Sequence, residues 1–267
     1  MCLILFAIDP RARFPLVIAA NRDESYNRPT TRLAFWADAP DVAAGRDLEG
    51  GGTWLGITRQ GRWAALTNYR QAGSYRQGAP SRGRLVSEYL LTKVPPQAYL
   101  DQIQTSAGKY NGFSLVVGIN TEVYYLSNRA RNYQRVMPGT HGLSNHLLDT
   151  PWPKVANGRR LLEDLPDLPA APLTEILLQA LHNHSIPSDS ELPDTGVGIP
   201  GERILSPTFI VSERYGTRAS TVILVDQKGS VSIVERCYGS LGRPLGDRSL
   251  QFVLEGVGST DEISPLT

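Results

Sequence analysis

The chain predicts a single α+β domain with mostly antiparallel sheets. Three observations lead there. Short apolar runs bounded by turn residues fill the first third and return at the C-terminal end, with helical patterns between and beside them. Those runs are apolar on both faces, which calls for cover by helices or a second sheet. No Pro/Gly linker divides the 267 residues into two self-sufficient halves, so one domain spans 1–267.

The elements follow in order. "CLILFAI" reads as a buried strand, "DPRAR" as a turn with Pro10 fixing φ, and "PLVIAAN" as a second strand, so residues 2–21 form a hairpin. "GTWLGIT" and "RWAALTN" form another hairpin across the turn "RQG". Two helices come next. In "SRGRLVSEYLLTK", Ser81 suits an N-cap and Leu85, Tyr89 and Leu90 have near-helical spacing; "PPQAYLDQIQTSAGKY" opens on prolines, which suit a first turn. "GFSLVVGI", "EVYYLSN" and "HGLSN" are strands. "PWPKVANGRRLLEDL" and "PLTEILLQALHNH" are helices, the second with Leu173, Ile176, Leu177, Ala180 and Leu181 on one core-facing stripe. Residues 185–207 carry Pro, Gly, Ser and Asp without periodicity and read as a long surface loop over a site. "TFIVS", "ASTVILVD", "SVSIVERCY" and "SLQFVLE" complete the strands.

Composition narrows the function. Hydrophobic residues make up 41% and charged residues 20%, ordinary for a globular core. A net charge of +1 supplies no general field for nucleic acid. No apolar run approaches the roughly 20 residues that span a bilayer. The N-terminal run lacks the basic start of a signal peptide, and Asp9 ends it. Cys2 and Cys237 are the two cysteines, with no zinc spacing, so the expected setting is a reducing one, the cytoplasm. The four histidines, His141, His146, His182 and His184, show no metal spacing, and no metal site is expected.

Cys2 has two readings. It is either a small buried strand residue, or a nucleophile that uses its own α-amine once Met1 is removed. An α-amine in an unstructured peptide titrates at about pH 7.7–8.0 and would accept the thiol proton. "AANRDE" at 19–24 ends the second strand in Asn21, Arg22, Asp23 and Glu24, and antiparallel pairing brings that cluster beside Cys2. A carboxylate there would hold an α-ammonium; the plainer alternative is a solvated strand end. "LTNY" at 66–69, "LSN" at 143–145 and "GTRAS" at 216–220 place Asn68, Asn145 and Arg218 at strand edges. Asparagine amides serve as oxyanion donors, and they also serve as ordinary turn formers. "EGGGTW" at 49–54 lacks the ending of a phosphate loop and reads as a tight turn or a close backbone approach.

Taken in order, "MCLILFAIDP", "LVIAANRDESYNRP", "GGTWLGIT", "AALTNYR", "NGFSLVVG", "HGLSN" and "YGTRASTVILV" closely resemble the NRDE-motif family, also called the transport and Golgi organisation protein 2 family. That family resembles N-terminal nucleophile hydrolases of the penicillin V acylase and bile-salt hydrolase branch. The resemblance implies a four-layer αββα sandwich. It implies Cys2 as nucleophile and Asp23, Asn68, Asn145 and Arg218 as catalytic partners, with Asn21, Arg22, Glu24 and Trp54 as substrate-binding residues. One position departs: the hydrolases carry an arginine three residues before the aspartate, where this chain has Ala20. Two functions follow as expectations. One is a hydrolase that cleaves an amide or acyl-CoA-like thioester bond and needs no cofactor. The other is a non-catalytic carrier for haem, as cargo, or for an acyl-CoA or lipid amphiphile. The partner in either case is a small molecule, and the sequence leaves the oligomeric state open.

Overall fold

The computed structural model describes residues 2–256. Strands β1 (Cys2–Ile8) and β2 (Leu16–Ser25) form the N-terminal hairpin, with Cys2 opposite Arg22 and Ile8 opposite Leu16. Its turn is closed by the Asp9 N–H on the Pro15 carbonyl at 3.1 Å. A second strand pair follows, β3 (Thr30–Trp36) and β4 (Ala39–Asp47), which the sequence patterns above did not mark. Then come β5 (Leu55–Thr58), β6 (Arg62–Asn68), and the helices α1 (Gly83–Leu91) and α2 (Pro96–Ser106). Strands β7 (Phe113–Ile119), β8 (Glu122–Ser127), β9 (Gln134–Val136) and β10 (Gly139–Leu143) lead into α3 (Pro153–Glu163) and α4 (Ala170–Leu181). The short helix α5 (Gly198–Leu205) precedes β11 (Tyr215–Val225), β12 (Ser230–Tyr238) and β13 (Pro244–Val253).

Two antiparallel sheets result, in the orders β10-β1-β2-β11-β12-β13 and β3-β4-β5-β6-β7-β8-β9. The two-residue period of each strand explains why the runs are apolar throughout. In β1, Ile4, Phe6 and Ile8 point inward and join Ile18, Trp63, Val116 and Ile223 in the core between the sheets. Leu3 and Leu5 point outward, against Val155 and Leu162 of α3 and Leu177 of α4. On the second sheet, Ala64, Leu115 and Val117 pack outward on Leu85, Tyr89 and Leu100 of α1 and α2. The layers are therefore helix, sheet, sheet, helix, the αββα sandwich that the resemblance implies.

Some local expectations change. Ser81 is not an N-cap: α1 begins after Arg82 with no side-chain cap, and Ser81 contributes its carbonyl to the Arg84 N–H at 3.2 Å. "TFIVS" is irregular rather than a strand, because Phe209 is drawn to the end of α4 by a backbone bond to Asn183. Residues 185–207 are not a bare loop; they contain a 3₁₀ turn at Asp189–Glu191 and α5. In "EGGGTW" the close approach is to the protein itself. A Cβ on Gly52 would lie 2.3 Å from the Gly83 backbone, so glycine lets α1 dock there.

Candidate functional site

Register decides what stands beside Cys2. Cys2 pairs with Arg22, Arg22 with Ala219 across β11, and Ala219 with Cys237 across β12. Directly paired residues share a face, so this row lies on the inner side of the first sheet. It forms one wall of a cavity of about 560 Å³ at the open end of the sandwich. Three strand spacings, about 14 Å, separate Cys2 from Cys237, far beyond the 4.4–6.8 Å that a disulfide spans; both thiols are free.

Asp23 falls one residue further along β2 than Arg22, on the helix side of the sheet. Its carboxylate Oδ1 accepts the Thr217 hydroxyl at 2.7 Å, and its carbonyl accepts the Tyr215 hydroxyl at 3.0 Å. Burial pushes its carboxyl up, and Lys154 and the Thr217 hydroxyl pull it back. Burial also pushes the Cys2 thiol up; the neighbouring Arg22 and the Asp23 backbone N–H, which donates to the sulfur, favour the thiolate.

Arg218 is the extra residue of a β-bulge between Thr217 and Ala219. The bulge carries its guanidinium to the Ser25 carbonyl at 3.1 Å and to the Arg28 carbonyl. Arg22 reaches the Thr30 hydroxyl at 3.2 Å. Both line the cavity with Glu24, Trp54 and Asn68. Trp54 also packs on the inter-sheet core. Arg82, at the start of α1, lines the same space and donates to the Gly112 carbonyl at 3.0 Å. Among the described residues, Arg22, Arg32, Arg82 and Arg218 all face the cavity without a carboxylate at ion-pair distance.

Two expected site residues stand apart from the cavity wall. Asn21 points to the helix side, where its amide donates to the Leu181 and Thr208 carbonyls at 2.9 and 2.8 Å and accepts the Ser220 hydroxyl at 2.6 Å. It ties β2 to the end of α4. Asn145 is fully buried at φ 56° and donates to the Asn68 carbonyl at 3.0 Å, so it supports the strand end that carries Asn68. Ala20 packs in the inter-sheet core.

Sequence patterns missed Arg82, Glu235 and a buried charge cluster behind Asp23. Glu235 accepts the Leu33 N–H at 2.7 Å and the Cys237 thiol at 3.5 Å; burial raises its carboxyl, and burial beside Glu235 pushes Cys237 up to about 12. In the cluster, Lys154 of α3 is buried with Arg70 and Glu202, which form an ion pair at 3.3 Å. Glu235 alone was within reach of pattern reading, as a charge at an inward position of an alternating strand. Among the described residues no group of three or more His, Cys, Asp and Glu side chains gathers, and no helix is long and apolar enough to cross a membrane.

The molecule is thus an αββα sandwich whose first strand delivers a thiol into a polar, arginine-walled cavity. The chain belongs to the Transport and Golgi organisation 2 family, whose model matches residues 1–240. It is similar to the Transport and Golgi organization 2 homolog of Mus musculus, 38% identical over 88% of this chain and 92% of that protein. The Bos taurus homolog is 40% identical over the same shares. Among solved structures it is similar to a Caenorhabditis elegans N-acylethanolamine-hydrolyzing acid amidase ortholog, with 12% identity, TM-score 0.49, and coverage of 84% of this chain and 92% of that one. It is also similar to a penicillin V acylase from Agrobacterium tumefaciens, with 9% identity, TM-score 0.47, and coverage of 97% and 88%.

Proposed function

We propose that the chain is an acyl hydrolase in which Cys2, freed of Met1, attacks an amide or acyl-CoA-like thioester carbonyl. One observation carries this reading: Cys2 lines the cavity together with Asp23, the residue that follows Arg22, its partner across the hairpin. The amine takes the thiol proton, and Asp23 holds the resulting ammonium. The thiolate adds to the carbonyl, and the Asn68 amide receives the oxyanion. The ammonium then protonates the leaving amine or thiol as its bond to the acyl carbon breaks. Water cleaves the acyl-enzyme and releases a carboxylate. Arg22, Arg82 and Arg218 neutralise an anionic group on the substrate.

A second reading rests on the raised thiol of Cys2, which disfavours the thiolate in the resting chain. In that reading the cavity carries an anionic amphiphile, haem or an acyl-CoA-like molecule, without cleaving it. Mass spectrometry of purified protein, followed by turnover of acyl-CoA and N-acyl substrates by wild type and Cys2→Ala, separates the two. The hydrolase requires loss of Met1 and turnover that Cys2→Ala abolishes. Retained Met1, or equal turnover by the variant, overturns it. Saturable haem or acyl-CoA binding unchanged in Cys2→Ala, with no turnover, supports the carrier.

A further inference from the structure

Strand β6 loses one of its two neighbours before it ends. β5 pairs with it as far as Ala65, and the Trp54 carbonyl then accepts the Leu66 N–H at 2.9 Å. Beyond that point β7 alone continues the ladder, with Asn68 opposite Phe113 and the Tyr69 N–H on the Gly112 carbonyl at 2.8 Å. Asn68 is the last residue of β6 and lines the cavity. The amide assigned to the oxyanion therefore sits on a strand end that its own sheet holds along one edge only. Such an end can twist about its axis, and a twist swings the Asn68 side chain.

The dipeptide Asn145–His146, just after β10, closes the other edge. The Asn145 amide donates to the Asn68 carbonyl at 3.0 Å, and the Asn145 carbonyl accepts the Arg70 N–H at 2.7 Å. Between those two bonds the Tyr69 side chain leaves the face opposite Asn68. Its hydroxyl meets His146 Nε2 at 2.8 Å, with the two ring centres 4.8 Å apart. His146 is itself fixed: its carbonyl accepts the Ser114 hydroxyl at 2.8 Å, and its ring centre lies 5.5 Å from that of Trp152. Its Nδ1 meets Thr150 Oγ1 at 2.8 Å. The Thr150 hydroxyl donates its one hydrogen to the Leu147 carbonyl at 2.9 Å, so toward the imidazole it accepts. Nδ1 therefore carries a hydrogen. Burial pushes His146 below the usual imidazole range and favours the neutral ring, which leaves Nε2 bare to accept the Tyr69 O–H.

We propose that His146 is a positioning residue for Asn68: by accepting the Tyr69 hydroxyl behind the strand end, it fixes the direction in which the Asn68 amide faces the cavity that holds Cys2. The segment after β10 supplies this role, not the sheet that carries Asn68. It rests on the reading of Cys2 as nucleophile and Asn68 as oxyanion donor, because only a developing oxyanion makes the direction of that amide matter to a rate.

The test uses the full-length protein and has two arms. The first follows the side-chain amide signals of ¹⁵N-labelled asparagine by NMR, with Asn68→Asp to identify the Asn68 pair. Tyr69→Phe removes the hydroxyl and keeps both rings; His146→Phe removes the acceptor and keeps the stack. Each should move the Asn68 signals and leave those of Asn21, on the far side of the first sheet, in place. Unmoved Asn68 signals overturn the proposal. The second arm measures turnover of the N-acyl or thioester substrate that the wild type cleaves. Tyr69→Phe and His146→Phe should each lower kcat about fivefold, within the range of one neutral hydrogen bond, and leave KM unchanged. The double variant should be no slower than either single one. His146→Gln, whose side-chain carbonyl can accept the same hydroxyl, should restore most of kcat. A raised KM at constant kcat, additive losses, or no rescue by glutamine overturns the positioning role. Retained Met1 or a wild type without turnover ends the hydrolase reading instead, and the Asn68 signals still decide whether Tyr69 and His146 orient the amide, so the two failures are distinguishable.

Discussion

Replacing Glu202 with alanine should be among the most damaging single changes outside the hydrophobic core. The Glu202 and Arg70 side chains are 2% and 8% exposed and face each other at 3.3 Å. Glu202 also accepts two bonds from Thr195, and Arg70 lies over the Trp152 ring at 4.9 Å. Truncation leaves a guanidinium buried without its anion and leaves two Thr195 donors unpaired. Removing one partner of such a pair costs about 3–5 kcal/mol. With a urea m-value near 3 kcal/mol/M, the upper range for small proteins, the midpoint should fall by roughly 1–1.7 M. Arg70→Met in the Glu202→Ala background should cost far less than it does alone, because the stranded charge is already the main damage. The Leu205 carbonyl, one helical turn beyond Glu202, would also loosen its hold on Lys154. A Glu202→Ala loss below about 1 kcal/mol, or additive single and double variants, would refute the claim that this pair fastens α5 to the body of the sandwich.

Three further outcomes are expected. Burial lowers Lys154 to about 8. Its unfolded form keeps the proton to about pH 10.4, so the unfolded chain binds more protons between those values, and stability rises with pH across that window. The gain is ~3 kcal/mol, seen as the difference in pH dependence between wild type and Lys154→Met in urea titrations; a flat difference would contradict it. Asn145→Ala should cost about 2 kcal/mol and Asn145→Gly about 1 kcal/mol, since both lose the bond to the Asn68 carbonyl and only glycine relieves the left-handed backbone; equal losses in denaturant unfolding would deny the backbone contribution. Gly52→Ala should lower the unfolding free energy by about 2–3 kcal/mol, because its Cβ would meet the Gly83 backbone; a calorimetric melting temperature equal to wild type would show that α1 can shift freely.

The site divides according to the kind of information each residue carries. Cys2, Arg22 and Asp23 were legible in sequence because a hairpin with a short turn sets its own register, and register alone puts Arg22 opposite Cys2. Asn68 and Arg218 were legible as polar residues at the edges of apolar strands, Trp54 came only with the family resemblance, and all three line the cavity. Asn21 and Asn145 look the same in sequence but face elsewhere. Alternation assigns Asn21 to the helix side, and a left-handed backbone turns Asn145 under Asn68. The strands β3 and β4 went unmarked because their outer positions are polar and a register irregularity breaks the pattern in each half.

By itself the sequence determined a two-sheet α+β domain and a thiol at the start of its first strand, since period-two patterning and hairpin closure are local. Only the tertiary structure decided that Lys154, Arg70 and Glu202 meet behind that thiol. They come from α3, the segment after β6, and α5, and no spacing relates them. A lysine in a first helical turn and a glutamate in a Gly/Pro-rich stretch read as surface charge. Burial depends on which face packs against what, and long-range packing sets that.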